Sequence, residues 1–282
     1  GQRLSVILRP TGGDFRGKVD IKDSFGTVVA SDVAPTSGLP IVVTSPAVLA
    51  DGSYEIDLST LAGSGSYEIE VLIDAEPEGE EFAGTNDTVA NAEALGGLVT
   101  LPSGAERYAV RGEADGNDDV YLLPLEQGQS TSAMLGSLSD GTDFTIELLN
   151  PAGDVVAISD GLSPNATQSI HDFVAPSAGD YALRVSGSGQ YLLTVTRGAA
   201  FDREINDESA RGQDLSYTGN ALGHLLDGPG RGTPGEGRPI RVVEVDNTNP
   251  PLNENALIDQ LNNDTYFDFE AVRVTVEQAD TL

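Results

Sequence analysis

Short runs in which apolar and polar residues alternate fill most of this chain. Leu4, Val6 and Leu8 share one face of an extended segment, with Ser5, Ile7 and Arg9 on the other. Further strands are expected at 18–23, 27–31, 41–44, 54–58 and 67–73. In the last of these Tyr67, Ile69, Val71 and Ile73 face one way, and Glu68 and Glu70 the other. The same alternation recurs at 106–112, 119–125, 130–136, 144–150, 155–159, 168–174, 180–186 and 189–197. Asp-Gly, Gly-Gly and Ser-Gly turns separate the runs. Such spacing predicts a mainly β chain of two-sheet, jelly-roll-type sandwiches.

The punctuation repeats. Gly128-Gln129 answers Gly1-Gln2, Pro-Ala-Gly-Asp-Val-Val-Ala at 151–157 answers Ser-Phe-Gly-Thr-Val-Val-Ala at 24–30, and Tyr181 answers Tyr54, each 127 residues on. Gly-Ser-Gly-Gln-Tyr at 187–191 answers Gly-Ser-Gly-Ser-Tyr at 63–67 with an offset of 124. Four stretches are expected: 1–78, a first sandwich lacking its leading strands; 79–200, a second sandwich; 201–239, a repeated Asn-Asp lead-in segment and a Gly/Pro-rich linker; and 240–282, the start of an α/β domain. In that last stretch a strand at 240–245, a helix at 254–261 and a strand at 269–276 are expected. A sandwich without its leading strands leaves an edge for another segment or chain, so strand-sharing is an expectation too.

Composition narrows the partners. There are 45 acidic residues against 15 basic ones, only Lys18 and Lys22 being lysines, and the net charge is −30. Phosphate binding needs a basic face, so nucleic acid is excluded as a partner and an anionic membrane surface disfavoured. No apolar run approaches the ~18 residues of a membrane span, which excludes insertion by a helix. With no cysteine, thiol chemistry and disulfides are excluded as well. The acidic excess reads as solvation, with specific cation sites embedded in it.

Candidate chemistry follows from the oxygens. Glu113, Asp115, Asn117 and Asp119 stand at every second position, and in a loop that spacing turns oxygens toward one centre, where calcium takes six to eight. Asn86 and Asp87 add more. Alternation alone explains the same residues as the polar face of a solvated strand, and both readings stand. Asn86-Asp87 before an Ala-rich stretch also reads as a helical cap. Catalytic signals are few: His171 falls on an expected strand, His224 beside a short helix, and no Gly-rich phosphate loop joins a strand to a helix.

Together, Asn86-Asp87-x-x-Ala90, Asn117-Asp118-Asp119-Val120-Tyr121, Pro-Ala-Gly-Asp at 151–154 and Ala-Gly-Asp-Tyr-Ala-Leu-Arg-Val at 178–185 resemble the bacterial pre-peptidase C-terminal domain. The resemblance covers 86–197, and 1–73 as a shortened copy. It implies a small β-sandwich found beside catalytic domains of exported proteins, secreted or at the cell surface, with calcium where the Asn-Asp lead-in segment meets the sandwich. The implied metal set is Glu81, Asn86, Asp87, Asp115, Asn117 and Asp119. Thr85 precedes Asn86 where the family carries a glutamate nearby, which leaves Glu80 or Glu81 to supply it. The segment from Arg241 resembles the opening of a flavodoxin-like or glutamine-amidotransferase-like domain.

The function expected is thus non-catalytic: an accessory region giving spacing, stability or targeting to a larger exported protein, through an extracellular polymer or protein partner. Two alternatives are the N-terminal part of a secreted hydrolase whose catalytic residues lie beyond Leu282, and a carbohydrate-binding or adhesive module.

Overall fold

A computed structural model describes residues 3–46, 53–80, 85–101, 103–139, 143–160, 168–201 and 220–222, and the backbone of 271–274. The second Asn-Asp segment at 206–207, the linker at 227–239, the strand at 240–245, the helix at 254–261 and His224 lie outside the described residues. What is described is mainly β strand and divides between two compact units, unit 1 within Gly1–Ala75 and Pro239–Leu282 and unit 2 within Glu76–Arg238.

Unit 1 opens with β1 (Leu4–Gly13), β2 (Arg16–Lys22), β3 (Val28–Val33), β4 (Ile41–Thr44), β5 (Glu55–Ala62) and β6 (Gly65–Ile73). One sheet has β1 between β4 and β6, and the other runs β3-β2-β5. The alternation places Val6 and Leu8 of β1, Val19 and Ile21 of β2, and Ile69 and Val71 of β6 in one core. The β2–β3 hairpin follows from its turn: the Asp23 carboxylate accepts the Phe25 and Thr27 N–H groups, and Gly26 takes φ +78°.

Unit 2 contains β7 (Glu76–Pro77), a 3₁₀ turn (Val89–Asn91), β8 (Glu93–Ala94), β9 (Val99–Thr100), β10 (Glu106–Asp115), β11 (Asp119–Leu125), β12 (Ser130–Ser137), β13 (Thr145–Leu149), β14 (Val155–Ile158), β15 (Gln168–Val174), β16 (Gly179–Ser186), β17 (Ser188–Arg197), β18 (Ala200–Phe201) and β19 (Ala221–Leu222). Its sheets run β15-β12-β17-β10-β7, with β9 also on β10, and β14-β13-β16-β11-β8. Tyr121, Leu123, Tyr181, Leu183, Tyr191 and Leu193 fill the core between them, each at most 1% exposed. Full burial of such a side chain contributes about 1.5–3 kcal/mol. At the β13–β14 turn the Asn150 carboxamide oxygen accepts the Ala152 and Asp154 N–H groups, and Gly153 takes φ +86°.

Cross-strand partners recur at fixed spacing. Val19 lies opposite Leu58 and Ile21 opposite Ile56, as Ile146 lies opposite Val185 and Leu148 opposite Leu183. Likewise Val6 faces Val43 and Val71, as Ala133 faces Ile170 and Val195.

Residues 271–274 form β20 (Ala271–Val274), which pairs antiparallel with β6, Val272 opposite Val71. It holds on β6 the place that β10 holds on β17, where Tyr108 lies opposite Val195.

Candidate functional site

Residues 76–80, in the acidic run Glu-Pro-Glu-Gly-Glu, are built into unit 2. Residues 76–77 extend and pair parallel with β10, Glu76 opposite Val110 and Pro77 opposite Arg111. Proline suits this place because β7 is the sheet's edge. Glu78 N–H then donates to the Arg111 carbonyl at 3.0 Å, and the Glu78 side chain turns inward until it is 1% exposed.

There it meets two phenols and a second carboxylate. Tyr121 donates to Glu78 Oε2 at 2.9 Å, Tyr191 donates to Asp119 Oδ2 at 2.6 Å, and the two phenol oxygens stand 2.6 Å apart. The Glu113 N–H donates to Glu78 Oε1. Gly112 makes room, since a Cβ there would collide with the Tyr191 ring and hydroxyl. Alternation on β11 and β17 aims both tyrosines inward, and Asp119, 3% exposed, opens β11 beside them.

Two phenolic protons cannot serve three short contacts. If both carboxylates are ionised, the phenols donate to them and the oxygen–oxygen contact between the rings has no proton. One more proton, on Asp119, restores an unbroken chain from Asp119 through Tyr191 and Tyr121 to Glu78. Burial pushes the Asp119 pKa up to about 6 against the lowering effect of the Tyr191 hydrogen bond, and the charges of Glu80, Asp115 and Asp87 add to the rise. Both tyrosines are raised well above the usual phenol range, chiefly by burial.

The Asn-Asp lead-in segment lies over this cluster. Asn86 accepts the Val120 N–H through its carbonyl and donates its own N–H to Glu80 Oε2, both at 2.9 Å. Thr88, rather than Asn86 or Asp87, opens the 3₁₀ turn, with its N–H on Asn91 Oδ1. The next strand, β8, runs parallel to β11 with Glu93 opposite Tyr121. Both Glu93 oxygens accept the Gly79 N–H, at 3.0 and 2.9 Å. Burial, opposed by that N–H and assisted by Glu76 and Glu80, raises the Glu93 pKa.

The residues expected to hold a cation divide. Asn86 is 2% exposed, and among the described residues neither its carboxamide oxygen nor its nitrogen has a hydrogen-bond partner; Asp87 Oδ1 is likewise buried without one there. These two and Asp119 lie where the lead-in segment meets the sandwich. Asp115 and Asn117 do not turn inward: both are exposed, and Asp115 Oδ1 accepts the Asn117 N–H and Nδ2–H at 3.1 and 2.9 Å. Glu113 takes Gln190 Nε2 at 3.2 Å on the outer side of β10. The every-second-residue pattern is broken because β10 ends at Asp115, Gly116 turns at φ +103°, and Asp119 begins a strand of the other sheet. Glu81 lies outside the described residues, and the glutamate on Asn86 is Glu80. Among the described residues no three carboxylate or imidazole side chains converge as a ligand set. Glu78, Tyr121 and Tyr191, by contrast, carry the site and were not singled out for it by spacing.

Elsewhere, His171 Nε2 lies 2.8 Å from Ser169 Oγ on β15, but Ser169 is 1% exposed and its hydroxyl is closed to a substrate. Among the described residues no helix is long and apolar enough to cross a membrane.

No family model and no curated protein matches the chain. Among solved structures it is similar to PliG of Aeromonas hydrophila, a periplasmic inhibitor of g-type lysozyme, at 17% identity over 38% of this chain and 96% of that one, with a TM-score of 0.30. PliG of Salmonella Typhimurium gives 16% over 38% and 99%, TM-score 0.24. The CUB1-EGF-CUB2 region of human MASP-1/3 gives 10% over 69% and 88%, TM-score 0.20. Likeness at these scores carries no statement about what this chain does.

Proposed function

We propose that the chain is a non-catalytic accessory region of an exported protein, secreted or at the cell surface. On this reading units 1 and 2 are two copies of one sandwich, which the shared registers support. Unit 2 clamps its own lead-in segment through residues 76–80 and 85–94, which then set spacing instead of acting as a loose tether. Calcium is the agent proposed to complete the clamp, taken up through Asn86, Asp87 and Asp119.

The observation that carries this reading is Asn86. A buried carboxamide with no partner among the described residues costs about 1–3 kcal/mol, and a hard cation is a ligand that an amide oxygen and a buried carboxylate oxygen would take together. Calcium would also release the extra proton from Asp119 by replacing it as the neutralising charge. Such a site strengthens the fold without taking part in a reaction.

Thermal unfolding in calcium and in chelator tests the proposal. Metal at about 100 times its dissociation constant, bound only by the folded state, adds about 2.7 kcal/mol, and the rise should disappear in Asn86→Ala and Asp119→Asn. An unchanged melting temperature in the parent chain would remove calcium from the reading and leave the carboxylate–phenol clamp alone.

A further inference from the structure

The described strands of unit 2 come from one stretch, residues 76–222, whereas unit 1 takes the strand beside β6 from the far end of the chain. Ala271, Val272, Arg273 and Val274 of β20 lie opposite Leu72, Val71, Glu70 and Ile69. In unit 2 the same place on β17 is held by β10, which is ten residues long and is followed directly by β11 of the other sheet. Residues 76–238, all assigned to unit 2, stand in sequence between β6 and β20.

We propose that β20 is an exchangeable strand, and that unit 1 accepts residues 271–274 from a second copy of this chain in the register they take on β6. A strand pair is joined by backbone groups, so the pairing is the same whichever chain supplies β20. The matching strand of unit 2 is not exchangeable in this way. It runs into β11, and its removal would carry Tyr121 and Leu123 out of the core. By contrast β20 brings four residues, and its departure leaves β1 to β6 in place.

The acceptor keeps its demand whatever the source. On β6, Ile69 and Val71 are 4% and 6% exposed in the core of unit 1, and a bared edge there would be a row of unpaired donors and acceptors. Concentration then decides which β20 fills it. Donor and acceptor on one chain meet at an effective concentration on the order of mM for a short flexible link, and lower for a longer one. Crowded copies exceed that value and take each other's strands. Each copy carries one donor and one acceptor, so two chains that exchange β20 satisfy one another in a closed dimer. This inference rests on the register of β20 and stands whether or not calcium binds.

The chain has no cysteine, so cysteines placed at one register pair report which chain supplies the strand. Glu70→Cys is made in one full-length population and Arg273→Cys in a second that carries a size tag; the two are mixed over a range of concentrations and oxidised. A disulfide between unequal chains forms where β20 of one lies on β6 of the other. Its yield should be at least tenfold that of Val28→Cys mixed with Arg273→Cys, Val28 being exposed on β3 in the other sheet. It should rise with concentration and disappear when Val272→Pro is added to the Arg273→Cys chain, because proline removes a donor from the strand. A chain carrying both cysteines should close on itself when dilute. Exchange is overturned if that chain closes while the mixture stays at background at every concentration, or if the mixed product survives Val272→Pro. Failure of the double-cysteine chain to close or cross-link at all overturns it too, since β20 would then not lie on β6.

Discussion

Tyr54, Ile56 and Leu58 in unit 1 and Tyr181, Leu183 and Val185 in unit 2 hold the same places in matching sheets, but the first three are half-buried and the second three are at most 1% exposed. The side chains are of one kind; β11 lies beside those of unit 2, whereas among the described residues no strand lies beside β5. In unit 2, β11 covers the edge, β8 extends the sheet beyond it, and Ala92 of the lead-in segment packs on the outer side. The outer face there is apolar, with Val120, Leu149 and Ala182 packed against Ala92. In unit 1 the places of Leu149 and Ala182 are taken by Lys22 and Glu55, and the face carries the Lys22–Asp57 ion pair in water. A sheet's burial is set by what lies beside it in space, more than by its own residues.

The sharpest way to break this comparison is to cut matching residues. Leu183→Ala should cost about 2–5 kcal/mol, as for other fully buried leucines, and Ile56→Ala about half as much or less because its site is already open. Denaturation followed by hydrogen exchange in each unit would separate the two losses. Equal costs would show that β5 is as enclosed as β16.

Next comes Tyr191→Phe, which removes the donor from Asp119 while keeping the ring. Its expected cost is about 1–3 kcal/mol, confined to unit 2. A neutral outcome would mean that the phenol chain does not hold the lead-in segment.

The smallest effect is the dependence on pH. In chelator, Asp119 binds its proton in the folded state up to about pH 6 and in the unfolded chain only near its ordinary 3.8. The native state therefore holds the extra proton between those values, and this group's contribution to stability falls as pH rises through that window and is flat above it. Asp119→Asn should remove that part of the slope in a set of denaturation curves from pH 3.5 to 7.5, and unit 1 should not show it.

How much of this could be read from residues alone differs between the sheets and the site. Strands were legible because alternation is local, and the β13–β14 turn because Asn150 and Gly153 carry its geometry in their own side chain and backbone. Asp119 was legible from its place before Tyr121. Glu78 was not: in Ala-Glu-Pro-Glu-Gly-Glu-Glu nothing marks one glutamate over the next, and its burial comes from the parallel pairing of β7 with β10, some 34 residues away. The run from Glu113 to Asp119 misled for the opposite reason. Its spacing is regular in sequence, yet a glycine turn sends its two ends into different sheets.

The docking of β7 has a mechanical consequence. A pull at Ala75 directed along β7 would load the paired backbone groups and the Glu78 clamp in shear at once. A strand peeled from its end gives way one bond after another; loaded in shear, this one would yield as a block. Residues 76–80 and 85–94 are thereby expected to act as a latch under tension, which a force–extension measurement would register as release in a single step.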